Sequence, residues 1–97
     1  MPTYITLGNW TAQGIGAVKD SPSRVQAARQ AAKQLGGEIK AFYLVMGRYD
    51  WVVILEAPSD ESVARFLLGL GAQGNARTET LRAFTEDEFR DILAAMP

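Results

Sequence analysis

Gly47-Arg48-Tyr49-Asp50-Trp51 sets a guanidinium, a phenol, a carboxylate and an indole side by side in one short stretch. Asp50 has the widest chemical latitude of the group. Turned inward among Val52, Ile54 and tyrosines, its carboxyl would be desolvated, its pKa would rise and it would act as a proton carrier, whereas an arginine beside it would lower that pKa. A structural role competes on equal terms, because an aspartate at a turn accepts backbone N–H groups. Asn9-Trp10 offers a second constellation, in which Trp10 stacks on a ligand and Asn9 orients a polar group, or both serve turn and core. Arg77, Glu79 and Arg82 are solvated charges unless one of them faces a cavity, where Glu79 or Arg82 would anchor a charged substrate. The candidate ligand-binding set is therefore Asn9, Trp10, Tyr43, Tyr49, Asp50, Trp51 and Arg82, with no residue assigned as catalytic.

Missing residue types narrow the chemistry further. The chain has no cysteine and no histidine, which removes disulfides, thiolate nucleophiles, Ser-His-Asp triads, axial-histidine haem and conventional zinc sites. No cofactor and no metal are expected. Gly69-Leu70-Gly71-Ala72-Gln73-Gly74 sits at a helix end rather than between a strand and a helix start, so it reads as a terminator and not as a phosphate loop. Ten basic residues against eleven acidic ones give a net charge of −1 without any basic run, so neither nucleic acid nor a membrane surface is expected as a partner. Met1-Pro2-Thr3-Tyr4 begins no signal-like segment, and no stretch approaches the roughly 20 apolar residues of a membrane span. The expected location is cytoplasmic.

Positioning these groups falls to a small set of elements. A chain of 97 residues, 47% apolar and 22% charged, suits one domain over residues 1–97. Thr3–Leu7 reads as a first strand, followed by a turn at Gly8-Asn9 and a weak helical segment over Thr11–Lys19. Ser21 is expected to cap a helix with Pro22 in its first turn, and Val25, Ala28, Ala32 and Leu35 give that helix a narrow, small-residue face. Two apolar runs, Ile39–Met46 and Tyr49–Ala57, read as a hairpin joined tightly by Gly47-Arg48. Ser59 caps a second helix that buries Val63, Phe66, Leu67 and Leu70. Arg77–Phe84 reads as a fourth strand, and Thr85 with Glu88 forms a capping box that opens a last helix bearing Phe89, Ile92, Leu93 and Met96.

The order predicts an α+β fold, ferredoxin-like βαββαβ, with a four-stranded antiparallel sheet plus a C-terminal helix. In the hairpin, Phe42, Leu44 and Met46 alternate with Ala41, Tyr43 and Val45, while Val52 and Ile54 alternate with Trp51, Val53 and Leu55. Both faces are apolar, yet two helices cover only one of them. The uncovered face predicts a homodimer or higher even-numbered oligomer with sheet facing sheet; the alternative is that the last helix folds back over it.

Met1-Pro2-Thr3-Tyr4-Ile5, Asn9-Trp10-Thr11, Gly14-Ile15, Val18-Lys19-Asp20-Ser21-Pro22 and Gly47-Arg48-Tyr49-Asp50 together resemble the GYD domain family, named for its Gly-x-Tyr-Asp signature. Glu56-Ala57-Pro58, Gly74-Asn75, Arg77-Thr78 and Thr80–Thr85 extend the resemblance over nearly the whole chain. That family is similar to the dimeric α/β-barrel superfamily, which implies a barrel of two paired sheets and a range of roles from cofactor-free oxygenases and isomerases to ligand sensors. The Gly47–Asp50 stretch with Thr78-Glu79-Thr80 also resembles the effector domain of Lrp/AsnC-type regulators, here without their DNA-binding helix-turn-helix. Pro2 superficially resembles the N-terminal proline base of the tautomerases, but their short βαβ repeat is not seen and a retained Met1 would leave its nitrogen in an amide.

Three functions stay open on these grounds. One is an oligomeric small-molecule-binding domain with its pocket near the subunit interface. Another is a cofactor-independent oxygenase or isomerase using Asp50 or a tyrosine as proton carrier. The last is a structural assembly protein whose aromatic residues fill an interface.

Overall fold

The computed structural model describes residues 1–97 and follows the expected order: β1 (Thr3–Trp10), α1 (Ala12–Gly16), a 3-10 turn (Val18–Asp20), α2 (Ser21–Gln34), β2 (Glu38–Leu44), β3 (Trp51–Glu56), α3 (Asp60–Ala72), β4 (Ala76–Ala83) and α4 (Glu86–Ala94). The strands form one antiparallel sheet in the order β2-β3-β1-β4, the ferredoxin-like arrangement. β1 and β3 lie at the centre.

Alternation along the strands divides the side chains between two faces. Tyr4, Thr6 and Gly8 of β1, with Trp51, Val53 and Leu55 of β3, point to the face that α2 and α3 cover, where Ala32, Val63 and Phe66 complete the core. Thr6 is 1% exposed, and its hydroxyl is satisfied by Thr80 Oγ1 at 2.8 Å on the neighbouring strand. Gly8 pairs directly with Trp51, and a Cβ there would lie 2.1 Å from the indole, so the missing side chain is what lets Trp51 lie across β1. Phe42 stacks on the same indole with centroids 6.0 Å apart.

The helix ends are built largely as the side chains imply. Ser59 caps α3 by accepting the Ser62 N–H at 3.2 Å, and Asp60 and Glu61 occupy its positive first turn. Thr85 and Glu88 exchange both bonds of the capping box at the start of α4. Glu88 sits below the ordinary carboxyl range because the Thr85 backbone N–H donates to its ionised form.

Three local expectations are corrected. Gly8 and Asn9 form no turn but continue β1 to Trp10, in register with Thr78 and Arg77 of β4. Ser21 is not a cap but the first residue of α2: Asp20 occupies the cap position, and the 3-10 turn delivers the chain to the helix by accepting the Ser21 N–H at Val18 O. The central hairpin is not tight, for β2 ends at Leu44 and β3 begins only at Trp51. The cause lies on β1. Asp50 donates its N–H to Gly8 O at 2.8 Å while its carbonyl accepts from Val45 at 2.9 Å, so residues 45–50 form a loop closed at its base.

The other face of the sheet carries two cross-strand rows, Ala41–Ile54–Ile5–Leu81 and Tyr43–Val52–Leu7–Glu79. Apart from Glu79 at one edge, the rows are apolar or aromatic, and Leu81 and Tyr43 are 47% and 57% exposed. α4 does not cover them. None of its residues is buried, and Phe89, Ile92 and Leu93, with Met96 just beyond its end, remain open. The chain accordingly measures 51 × 31 × 18 Å, with a radius of gyration of 14.6 Å against the roughly 13 Å of a compact domain this size.

Candidate functional site

Between the helices and the sheet lies a cavity of about 370 Å³, within the size range of small-molecule sites. Its origin is the composition of α2. Ala27, Ala28 and Ala31 face a floor of Thr6, Ile39 and Val53, and Gly69 of α3 adds no side chain, so α2 and α3 run over the sheet with little contact between them. Large aromatics wall the space that the alanines leave: Trp10, Phe42, Trp51 and Phe66.

Polar groups enter the cavity from the helices and from the α3–β4 connection. Ser21 and Arg24, one turn apart on α2, line it, and Ser21 Oγ and Arg24 Nη1 are enclosed without a hydrogen-bond partner. Arg65 of α3 lines it from across the gap, with Gln34, Gln73 and Asn75. The α3–β4 connection is held in place from below: Thr11 N–H donates to Asn75 O at 3.1 Å, Thr11 Oγ1 to Gly74 O at 2.6 Å, and Gln13 Nε2 to Gln73 O at 3.1 Å. A Cβ on Gly14 would lie 2.0 Å from Asn75 O, so that approach also requires glycine.

Of the candidates named from the sequence, Trp10 and Trp51 meet in this cavity. Asp50 lies just outside it, where Oδ2 accepts the Trp10 N–H at 2.9 Å; with its own N–H on Gly8 O, it latches the hairpin loop to the end of β1. Its carboxylate thus serves as a backbone acceptor at the turn. Asn9 and Tyr43 point to the open face, Asn9 in register with Arg77 and Tyr43 with Val52. Tyr49 reaches the same side and donates its hydroxyl to Glu79 Oε2 at 2.6 Å, a bond to a carboxylate that raises the phenol pKa. Arg82 lies on the covered side at the far end of β4, with its guanidinium 4.4 Å from the Phe84 ring centroid and 5.7 Å from that of Tyr4. Tyr4 donates to Asp60 Oδ1 at the start of α3, and burial, reinforced by that carboxylate, pushes its pKa up.

The residues that sequence reasoning missed are Ser21, Arg24, Phe42 and Phe66. A usable signal existed for Ser21 and Arg24, since residues three apart share one helix face, here the face of the alanines. No group of three or more acidic, histidine or cysteine side chains is placed to hold a metal ion, and no helix is long and apolar enough to cross a membrane.

Comparison with known proteins agrees with this architecture. The family model described as the GYD domain matches residues 4–93. The chain is 36% identical over 84 residues to the glutamine synthetase and cystathionine beta-lyase binding protein of Thermus thermophilus, covering 86% of this chain and 88% of that one. Its fold is similar to the crystal structure of TTHA0845, also from Thermus thermophilus, with a TM-score of 0.54, 29% identity and coverage of 88% of this chain and 95% of the other. It is also similar in fold to the hypothetical protein PHS023 from Pyrococcus horikoshii, with a TM-score of 0.52, 22% identity and coverage of 89% and 93%. With the Gly47–Asp50 signature set into the latch between β1 and the hairpin loop, and the family model spanning nearly the whole chain, this protein belongs to the GYD domain family.

Proposed function

We propose that the protein is a homo-oligomeric binding domain that takes a small molecule into the cavity beneath α2 and α3 and a second copy of itself on the open face of its sheet. The observation that carries the first half is the aromatic-walled cavity of about 370 Å³, too large and too apolar to be explained as ordinary packing slack. The second half is supported by the rows around Ile5, Leu7, Val52 and Ile54, which water would otherwise bathe. On this reading the small-molecule site and the subunit interface lie on opposite sides of the sheet. The enzyme reading draws less support, because Asp50, Tyr49 and Tyr4 are committed to hydrogen bonds within the fold and the remaining tyrosine, Tyr43, lies on the open face, away from the cavity.

The name of the Thermus relative favours a further role toward other proteins, and the apolar side of α4, with Phe89 54% exposed, is a surface suited to it.

Both tryptophans of the chain line the cavity, so energy transfer from them to a neutral fluorophore such as phenylnaphthylamine reports on that space. Transfer should saturate in the native protein and disappear in Ala28→Leu, which fills the gap. Equal transfer in both would place the fluorophore elsewhere and defeat the cavity reading.

A further inference from the structure

Building on the cavity reading, we propose that the ligand is a small carboxylic acid with an apolar, preferably aromatic, body, whose carboxylate is gripped by Arg24 and Ser21. Three features of the cavity converge on this chemistry. Arg24 Nη1 and Ser21 Oγ are enclosed and unpartnered on adjacent turns of one helix face, and a buried donor without an acceptor destabilises the fold that contains it. An acceptor arriving from outside removes that defect. Charge selects its sign: Arg24 and Arg65 both line the cavity, no aspartate or glutamate does, and neither arginine is engaged in an ion pair. A chain with more acidic than basic residues has thus gathered two cations and no anion around one apolar space.

The number of donors selects the head group. A carboxylate presents two oxygens, one for the guanidinium N–H and one for the serine O–H, and its single negative charge matches the one enclosed cation. A phosphate monoester brings nearly twice the charge to a site with one enclosed cation. The walls select the body. Trp10, Phe42, Trp51 and Phe66 offer ring faces and edges but few further polar groups, so the rest of the ligand is apolar. Arg65 is exposed at the opposite side and supplies long-range attraction rather than a fixed contact.

The test compares three probes of one shape, phenylbutanoate, phenylbutanol and phenylbutyl phosphate, by tryptophan fluorescence and calorimetry at neutral pH. The native protein should bind the acid at least about tenfold tighter than the alcohol, the selectivity of a charge-assisted hydrogen bond in an enclosed site. Arg24→Gln should bring acid and alcohol to parity, the acid losing its roughly tenfold preference. Ser21→Ala should lose part of the preference, and it carries the test if circular dichroism shows that the Arg24 variant does not fold. Equal binding of acid and alcohol by the native protein overturns the head-group assignment and leaves the cavity reading intact. Tighter binding of the phosphate ester than of the acid also overturns it. Failure of all three probes, together with failure of the neutral fluorophore, removes the cavity reading itself.

Discussion

The two faces of this sheet are written in nearly the same alphabet and end in opposite situations. On the covered face Tyr4, Trp51, Val53 and Leu55 lie beneath helices, with Leu55 only 2% exposed. One residue further along each strand, Ile5, Leu7, Val52 and Ile54 look outward, half-buried, with no helix of their own chain above them. Hydrophobicity therefore does not say which face a helix will cover. The crossover connections do, because a right-handed β-crossover-β unit sends both α2 and α3 to the same side of the sheet. The open face inherits apolar residues without a local partner, and this is what supports the proposed second copy.

The sharpest way to break this contrast is to place the same insult on each face. Gly8→Val puts methyl groups where the Trp51 indole lies and should destabilise the monomeric fold by about 3 kcal/mol or more, through overpacking and displacement of a core aromatic. Leu81→Lys should leave the thermal midpoint of the isolated subunit almost unchanged, yet native mass spectrometry or sedimentation should show the oligomer reduced to monomers. If Leu81→Lys unfolds the protein as Gly8→Val does, the open face is core and the contrast is wrong. If Leu81→Lys leaves an oligomer intact, the subunits associate through another surface.

Smaller effects sharpen the boundary between the faces. Asp50→Ala removes the carboxylate acceptor of the Trp10 N–H and should cost about 1–2 kcal/mol, with amide exchange accelerating at Trp10 before it does at Ile5. Uniform acceleration along β1 would show that Asp50 is no local latch. The smallest effect belongs to α4. Glu88 has a depressed folded pKa, so its contribution is present above the ordinary glutamate pKa and is lost as pH falls through the lower, folded value. α4 should fray in that acid range while the sheet stays intact, and Glu88→Gln should reduce the pH dependence to what Glu86 and Asp87 of the same turn supply; helicity insensitive to both would leave the capping box without a role in solution.

Much of this architecture was legible in the sequence because its signals are local. Ser59 and the Thr85–Glu88 pair announce their helices within a single turn, and the alternation of Trp51–Leu55 announces a strand with two apolar faces. The length of the hairpin loop was not legible, since it is set by Asp50 bonding to Gly8 and Trp10, partners some forty residues earlier that no local pattern connects to it. The candidate site was legible only in part, because a cavity is made by what is small. Trp10 and Trp51 draw attention by their rings, whereas Ala28 and Ala31, which create the space beside them, read as ordinary helix formers. Ser21 resembled a cap by its place before Pro22, and only the 3-10 turn, which moves the cap to Asp20, sets Ser21 inside the helix among the residues that line the cavity.

β1 is the first strand in the chain, but it is hydrogen-bonded on one side to β3 and on the other to β4, which ends at Ala83. A chain emerging from the ribosome therefore presents its central strand first and completes it last. Until β4 has left the exit tunnel, one edge of β1 is a row of unpaired peptide groups flanked by Ile5 and Leu7, and pairing across so long a separation is intrinsically slow. The same strand that organises the finished sheet is thus the most exposed segment of the nascent one, and intermolecular strand pairing during synthesis will be decided by how quickly residues 76–83 arrive.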